Sequence, residues 1–174
     1  MQKFVITGAP GTGKTSIINH LKKKGYNCID EISREIISEQ IAINGEALPW
    51  KNLSAFSERV FSLRESQLLN SKKTLLFFDR GIVDVYAYMK VESLEITENL
   101  EESIKKNRYN TKVFYTPIWE EIYVNDKQRK ESIEQAKIIE NVLLSSYRFY
   151  NYQLIKVPKS SVEERAHFIL AQIK

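Results

Sequence analysis

Gly8-Ala9-Pro10-Gly11-Thr12-Gly13-Lys14-Thr15 is the stretch that decides how this chain is read. It follows the apolar run Phe4-Val5-Ile6 and opens onto residues 16–24, which have helical character. The spacing is that of a P-loop, G-x-x-x-x-G-K-[ST]. Glycines let the backbone bend around a phosphate, so that several N–H groups point inward at the positive end of the following helix. On this reading Gly8, Ala9, Pro10, Gly11, Thr12, Gly13, Lys14, Thr15 and Ser16 bind a nucleotide. Lys14 reaches the β- and γ-phosphates, and the Thr15 hydroxyl is a magnesium ligand. The alternative is a glycine-rich turn with a surface lysine. The strand-like and helix-like flanks argue against it.

Outward from that loop, strand-like and helix-like segments alternate, the pattern of an α/β layer fold with a parallel sheet. Residues 3–7 form the first expected strand. The next segment, 16–24, carries Ile17, Ile18 and Leu21 on one face and ends in lysines before Gly25, as a helix C-terminus does. A second strand is expected at 26–29, and a helix to about residue 43 carries Ile32, Ile36, Ile37 and Ile41. Residues 53–69 give a long amphipathic helix with Phe56, Val60 and Leu63 on its apolar stripe, and with Arg59 and Arg64 off it as solvated charges. Strands are expected at 74–78, 112–115 and 152–157, and helices at 82–90, 98–106, 132–147 and from 161 to 174. Thr97 caps the fifth of these helices, and Ser161 with Glu164 forms a capping box for the last.

The 174 residues suit one domain, and 43% apolar with 28% charged residues is the balance of a folded soluble protein. A net charge of +4 spread among acidic residues lacks the dense basic stripe of a nucleic-acid groove, which argues against nucleic acid as a partner. Cys28 is the only cysteine and cannot form an internal disulfide. No run approaches the roughly 18 apolar residues of a membrane span, and the first strand begins too early to leave room for a signal peptide. A cytoplasmic location is the expectation.

In a parallel sheet, ligands bind along the edge where the strands end. Asp79 ends an apolar strand, where a Walker B aspartate would orient magnesium; alternatively it caps the helix from Ile82. A hydrolytic motor would place a glutamate next, but the residue is Arg80, a cation suited to a transferring phosphoryl group or to gripping an acceptor. Glu31 follows the second strand with Arg34 one turn on. It is either a general base with Arg34 as substrate ligand, or half of an ordinary ion pair. Asp84, a turn beyond Arg80, is placed to fix its guanidinium at the acceptor side. Pro158 and Lys159, after the last strand, fall on the nucleotide side. The charged excursion after Pro117, about residues 117–132, reads as a lid with Arg129 closing over the γ-phosphate, or as a solvated face. His20 and His167 lack partners at metal-ligand spacing and read as structural.

Together these residues resemble the AAA-type ATPase/kinase-like P-loop domain family, which includes the nicotinamide riboside kinase domain of NadR proteins and the TRP-channel translocation-defect proteins. The resemblance is carried by Phe4 through Thr15, Glu31-Ile32-Ser33-Arg34-Glu35, Phe78-Asp79-Arg80-Gly81 with Asp84 and Tyr88, Asp126 with Arg129, and Val157-Pro158 with Glu164-Arg165. It implies a three-layer P-loop NTPase sandwich, nucleoside/nucleotide kinase-like, with a five-stranded parallel sheet of order 2-3-1-4-5. It also implies that Glu31 matches the carboxylate base of deoxynucleoside-type kinases and Asp79-Arg80 their acidic-arginine pair. Lys127 stands where the lid pattern leads one to expect a glycine.

The expected activity is phosphoryl transfer from ATP, or GTP, with Mg2+, to a hydroxyl of a small molecule such as a nucleoside or nicotinamide riboside. The alternative is a switch whose nucleotide state controls binding of a protein or lipid, without turnover. Plain hydrolysis ranks third, because of Arg80.

Overall fold

The computed structural model describes residues 2–122 and 132–173. Its chain order is β1 (Gln2–Thr7), α1 (Lys14–Lys23), β2 (Cys28–Ile29), α2 (Ser33–Ala42), α3 (Leu53–Asn70), β3 (Leu75–Asp79), α4 (Ile82–Val91), α5 (Glu98–Lys106), β4 (Lys112–Tyr115), α6 (Ile133–Phe149), β5 (Gln153–Lys156) and α7 (Val162–Ala171). The five strands form one parallel sheet in the order β2-β3-β1-β4-β5. That is the order the resemblance implied.

The central strands are apolar without alternation because helices cover both faces. Phe4, Ile6, Phe77 and Phe114 pack with Ile17, Ile18 and Leu21 of α1 and with Ala166 and Ile169 of α7. Val5, Leu76, Phe78 and Val113 face the other way, into Val60, Phe61 and Leu68 of α3, Ile82 and Tyr86 of α4 and Tyr147 of α6. Each fully buried phenylalanine contributes ~2–3 kcal/mol of apolar burial, so the two layers are fixed mainly by β1, β3 and β4.

Two sequence expectations shift. The second strand shrinks from four residues to Cys28–Ile29, because β2 is an edge strand with a ladder only to β3. More consequentially, α3 is rotated about its axis relative to the expected stripe. Leu63 is 39% exposed, whereas Arg64, expected in solvent, is 1% exposed. Val60, Arg64 and Leu68 stand at four-residue spacing and share the inward face.

Register decides where the strands end. Ile6 lies opposite Asp79, Ile29 opposite Phe78, Thr7 opposite Tyr115, and Tyr115 opposite Lys156. The loops after β1, β2, β3, β4 and β5 therefore emerge on a common edge. The expected lid overlaps residues 123–131, and Asp126, Lys127 and Arg129 lie outside the described residues.

Candidate active site

The loop between β1 and α1 is built from positive-φ glycines. Gly8 has φ 144°, Gly11 81° and Gly13 84°. A Cβ on Gly8 would stand 2.5 Å from both the carbonyl and hydroxyl oxygens of Thr116, and one on Gly13 2.8 Å from the Arg165 guanidinium. Glycine is needed at both positions for space as well as for backbone conformation. The loop is tied down from β4 and α7. The Thr12 and Thr116 hydroxyls lie 2.6 Å apart, Thr12 Oγ1 donates to Ala9 O, and Arg165 Nη1 donates to Thr12 O at 3.1 Å. Arg165 also faces the Trp119 ring at 5.9 Å.

Lys14 folds back over the loop, and its Nζ donates to Ala9 O at 2.7 Å. Burial pushes its ammonium down to about 7. Arg80 pushes the same way, and Asp79, Asp84 and Glu31 partly offset both. That set of influences places the four side chains around Lys14 even though they come from separate elements.

Thr15 and Asp79 meet as the motif requires. Thr15 Oγ1 donates to Asp79 Oδ2 at 2.9 Å, and Asp79 Oδ1 is buried without a hydrogen-bond partner among the described residues. An orphaned buried carboxylate oxygen beside a hydroxyl is a donor set that fits a hard, oxygen-seeking cation such as Mg2+. Asp79 does not cap α4. That helix is capped instead by Asp84, whose Oδ2 accepts from Gly81 N at 2.8 Å.

Arg80 takes a left-handed backbone, φ 72°, which is costly for a side-chain-bearing residue and aims its guanidinium back over the P-loop. Nη1 donates to Gly8 O at 3.2 Å and to Asp84 Oδ1 at 3.3 Å, and the guanidinium stacks 5.1 Å from the Tyr88 ring. Burial opposes its charge, but Tyr88, Asp84, Glu31 and Asp79 outweigh that and raise its pKa. Asp84 is buried and committed to protein donors. Besides Arg80 and Gly81, it accepts from Thr7 Oγ1 and from Tyr147 OH, both at 2.6 Å. Burial and Asp84 push the Tyr147 phenol well up, so it stays a neutral donor. Both Asp84 oxygens thus accept from protein donors, Arg80 among them.

Glu31 follows β2 and is 21% exposed. Its Oε1 accepts from Ser33 N at 2.9 Å. Burial would raise its pKa; Arg80, the Ser33 hydrogen bonds and Arg64 outweigh it and hold the carboxyl below its ordinary range. Arg34 is exposed and makes no ion pair among the described residues, so Glu31 is not half of an Arg34 pair. Its cationic neighbour is Arg64, 3.7 Å away. Pro158 and Lys159 are exposed after β5, beside the half-buried Ser160, whose Oγ has no hydrogen-bond partner among the described residues.

Arg64 is the neighbour of Glu31 that sequence reasoning misplaced, and Tyr147 was not singled out at the site. The available signal was spacing: Arg64 falls four residues from Val60 and from Leu68, and Tyr147 four from Leu143, all inward-facing. No group of three metal-ligating His, Cys, Asp or Glu side chains occurs among the described residues.

A glycine loop with its lysine-bearing helix after the central strand, in a parallel sheet of order 2-3-1-4-5, defines a P-loop domain of the nucleoside-kinase-like arrangement. The chain belongs to the AAA domain family, whose model matches residues 3–165. No curated protein sequence matches it. Among solved structures it is similar to deoxyadenosine kinase from M. mycoides with products dCMP and a flexible dCDP bound (TM-score 0.71, 19% identity, covering 99% of this chain and 98% of that one). It is also similar to NadR protein in complex with NR (0.73, 15%, 99% and 50%) and to shikimate kinase from Acinetobacter baumannii in complex with shikimate (0.61, 16%, 99% and 93%). At these identities the likeness is one of fold.

Proposed function

We propose that this protein is a small-molecule kinase that transfers the γ-phosphoryl group of ATP, with GTP as the alternative donor, to a hydroxyl of a nucleoside or nicotinamide riboside type of acceptor. The observation that carries this reading is Glu31, a carboxylate kept ionised on the same sheet edge as the P-loop and electrostatically joined to Arg80. A hydrolase or a switch has no need of a second, acceptor-side carboxylate there.

In the proposed reaction the acceptor oxygen bonds to the γ-phosphorus as the bond to the β,γ-bridging oxygen breaks. ADP leaves, and the hydroxyl proton passes to Glu31. The P-loop amides and Lys14 hold the donor phosphates, and Arg80, fixed by Asp84 and the Gly8 carbonyl, faces the transferring group's charge. Mg2+ held by Thr15 and Asp79 would neutralise charge on the β- and γ-phosphate oxygens. Arg34 is assigned to the acceptor, Pro158 and Lys159 to the nucleotide, and Arg129 to the γ-phosphate.

Two variants test the division of labour. Lys14→Ala weakens ATP binding. Glu31→Gln retains ATP binding and cuts transfer about a hundredfold or more, the scale of losing a general base. Normal turnover by Glu31→Gln would remove Glu31 from the mechanism. ATP-dependent capture of a partner with no acceptor turnover would favour the switch.

A further inference from the structure

The buried Arg64 guanidinium is an element that the phosphoryl-transfer scheme leaves unused. It sits on the inward face of α3 and is fully buried. A buried cation survives only where its donors and charge are met. Nη1 donates to Asp30 O at 3.0 Å and to Gln67 Oε1 at 3.3 Å, while Nη2 is buried, makes no hydrogen bond among the described residues and lies 3.7 Å from Glu31 Oε1. Glu31 is the one carboxylate within ion-pair distance of Arg64 among the described residues.

These contacts fix the Glu31 carboxylate in place. Oε1 is held from two sides, by Ser33 N within the first turn of α2 and by Arg64 from α3. The Ser33 side chain adds a further hydrogen bond to the carboxylate. We propose that Arg64 is the positioning residue of the site: its guanidinium anchors the main chain at Asp30 and Oε1 of Glu31 together, and so fixes how the carboxylate faces the acceptor hydroxyl. This rests on the reading of Glu31 as base. The charged groups acting on Glu31 come from three elements: Arg64 on α3, Arg80 after β3, and Lys14 on α1. Removing Arg64 leaves the other two in place. The carboxyl then titrates at higher pH and rotates more freely.

The test uses the full chain, with the Glu31 side-chain carboxyl labelled with 13C and its signal assigned by its loss in Glu31→Gln. In Arg64→Met the Glu31 titration midpoint is expected to move up. With any riboside that the wild type phosphorylates, kcat is expected to fall about tenfold to a hundredfold at unchanged ATP affinity, the scale of a misplaced reacting group. The acid limb of the rate profile should move up with the carboxyl. An unmoved midpoint in folded Arg64→Met overturns the proposal and leaves Arg64 as a staple between α3 and the end of β2. Arg64→Lys covers the case in which the methionine variant does not fold. It keeps the charge and the midpoint but cannot reach Asp30 O and Oε1 at once, so kcat should still fall severalfold; wild-type kcat in Arg64→Lys also overturns the proposal. Failure of the underlying reading looks different: Glu31→Gln itself would turn over normally, while the carboxyl titration would still report whether Arg64 holds Glu31.

Discussion

Lys14 shows most directly how single residues acquire properties here that their type does not predict. Its ammonium is pushed down to about 7 by burial first and by Arg80 second. The sign has two consequences. Between pH 7 and the ordinary lysine value of 10.5, the folded chain holds less of this proton than the unfolded chain does, so the cost of burying Lys14 is greatest below pH 7 and fades as pH rises. A polyphosphate beside Lys14 favours the charged form, so ATP binding at pH 8 should take up about one proton, and affinity should decline as pH rises above 7. Calorimetry of ATP binding in two buffers of different ionisation enthalpy measures this. Buffer dependence is expected in the wild type and lost in Lys14→Met; equal enthalpies in the wild type would contradict it. The residue type and motif of Lys14 were plain in the sequence, but its titration was not, because it depends on Arg80, Asp79, Asp84 and Glu31 arriving from other elements. Arg64 failed to stand out for a related reason. An arginine in a long amphipathic helix is ordinarily solvated, and only the packing of α3 against the sheet turns it inward.

At the scale of elements, capping and periodicity were legible and helix rotation was not. Ser132, Thr97 and Ser161 accept from the backbone N–H groups of Gln135, Leu100 and Glu164, and the Ser161–Glu164 box is completed by Ser161 N donating to Glu164 Oε2. These interactions are local, so sequence spacing is enough to find them. The orientation of α3 depends on what the sheet and α4 present to it, which no window of α3 contains. Two predictions belong here. Ser161→Ala removes the cap of α7 and should cost about 1 kcal/mol, lowering the melting temperature by roughly 2–4 °C with ATP affinity unchanged. Gly8→Ala drives a Cβ to 2.5 Å from two oxygens of Thr116 at φ 144°. It should cost about 1–3 kcal/mol in denaturant unfolding and weaken ATP binding at least tenfold, because the loop cannot keep both its backbone and its hold on β4. A Gly8→Ala variant with normal ATP affinity would show that the cradle is not formed by this backbone.

For the whole molecule, the parallel sheet converts distance in sequence into proximity. Residues 8–15, 30–31, 79–84 and 116 follow four different strands whose register ends them on one edge. That much was legible from the alternation of apolar runs and helices, and the strand order came from the resemblance to a P-loop family. No helix among the described residues is long and apolar enough to cross a membrane. The acceptor remained illegible because a pocket at the proposed site would depend on how α2, α3 and α4 pack around Glu31, Arg64 and Arg80, a property of the assembled fold. Following the labelled γ-phosphate of ATP across a panel of nucleosides and nicotinamide riboside tests the central claim most directly. The account predicts acceptor-dependent recovery of the label in a phosphorylated riboside, lost in Glu31→Gln. Label released only as inorganic phosphate, or not released at all with any acceptor while ATP binds, would contradict it.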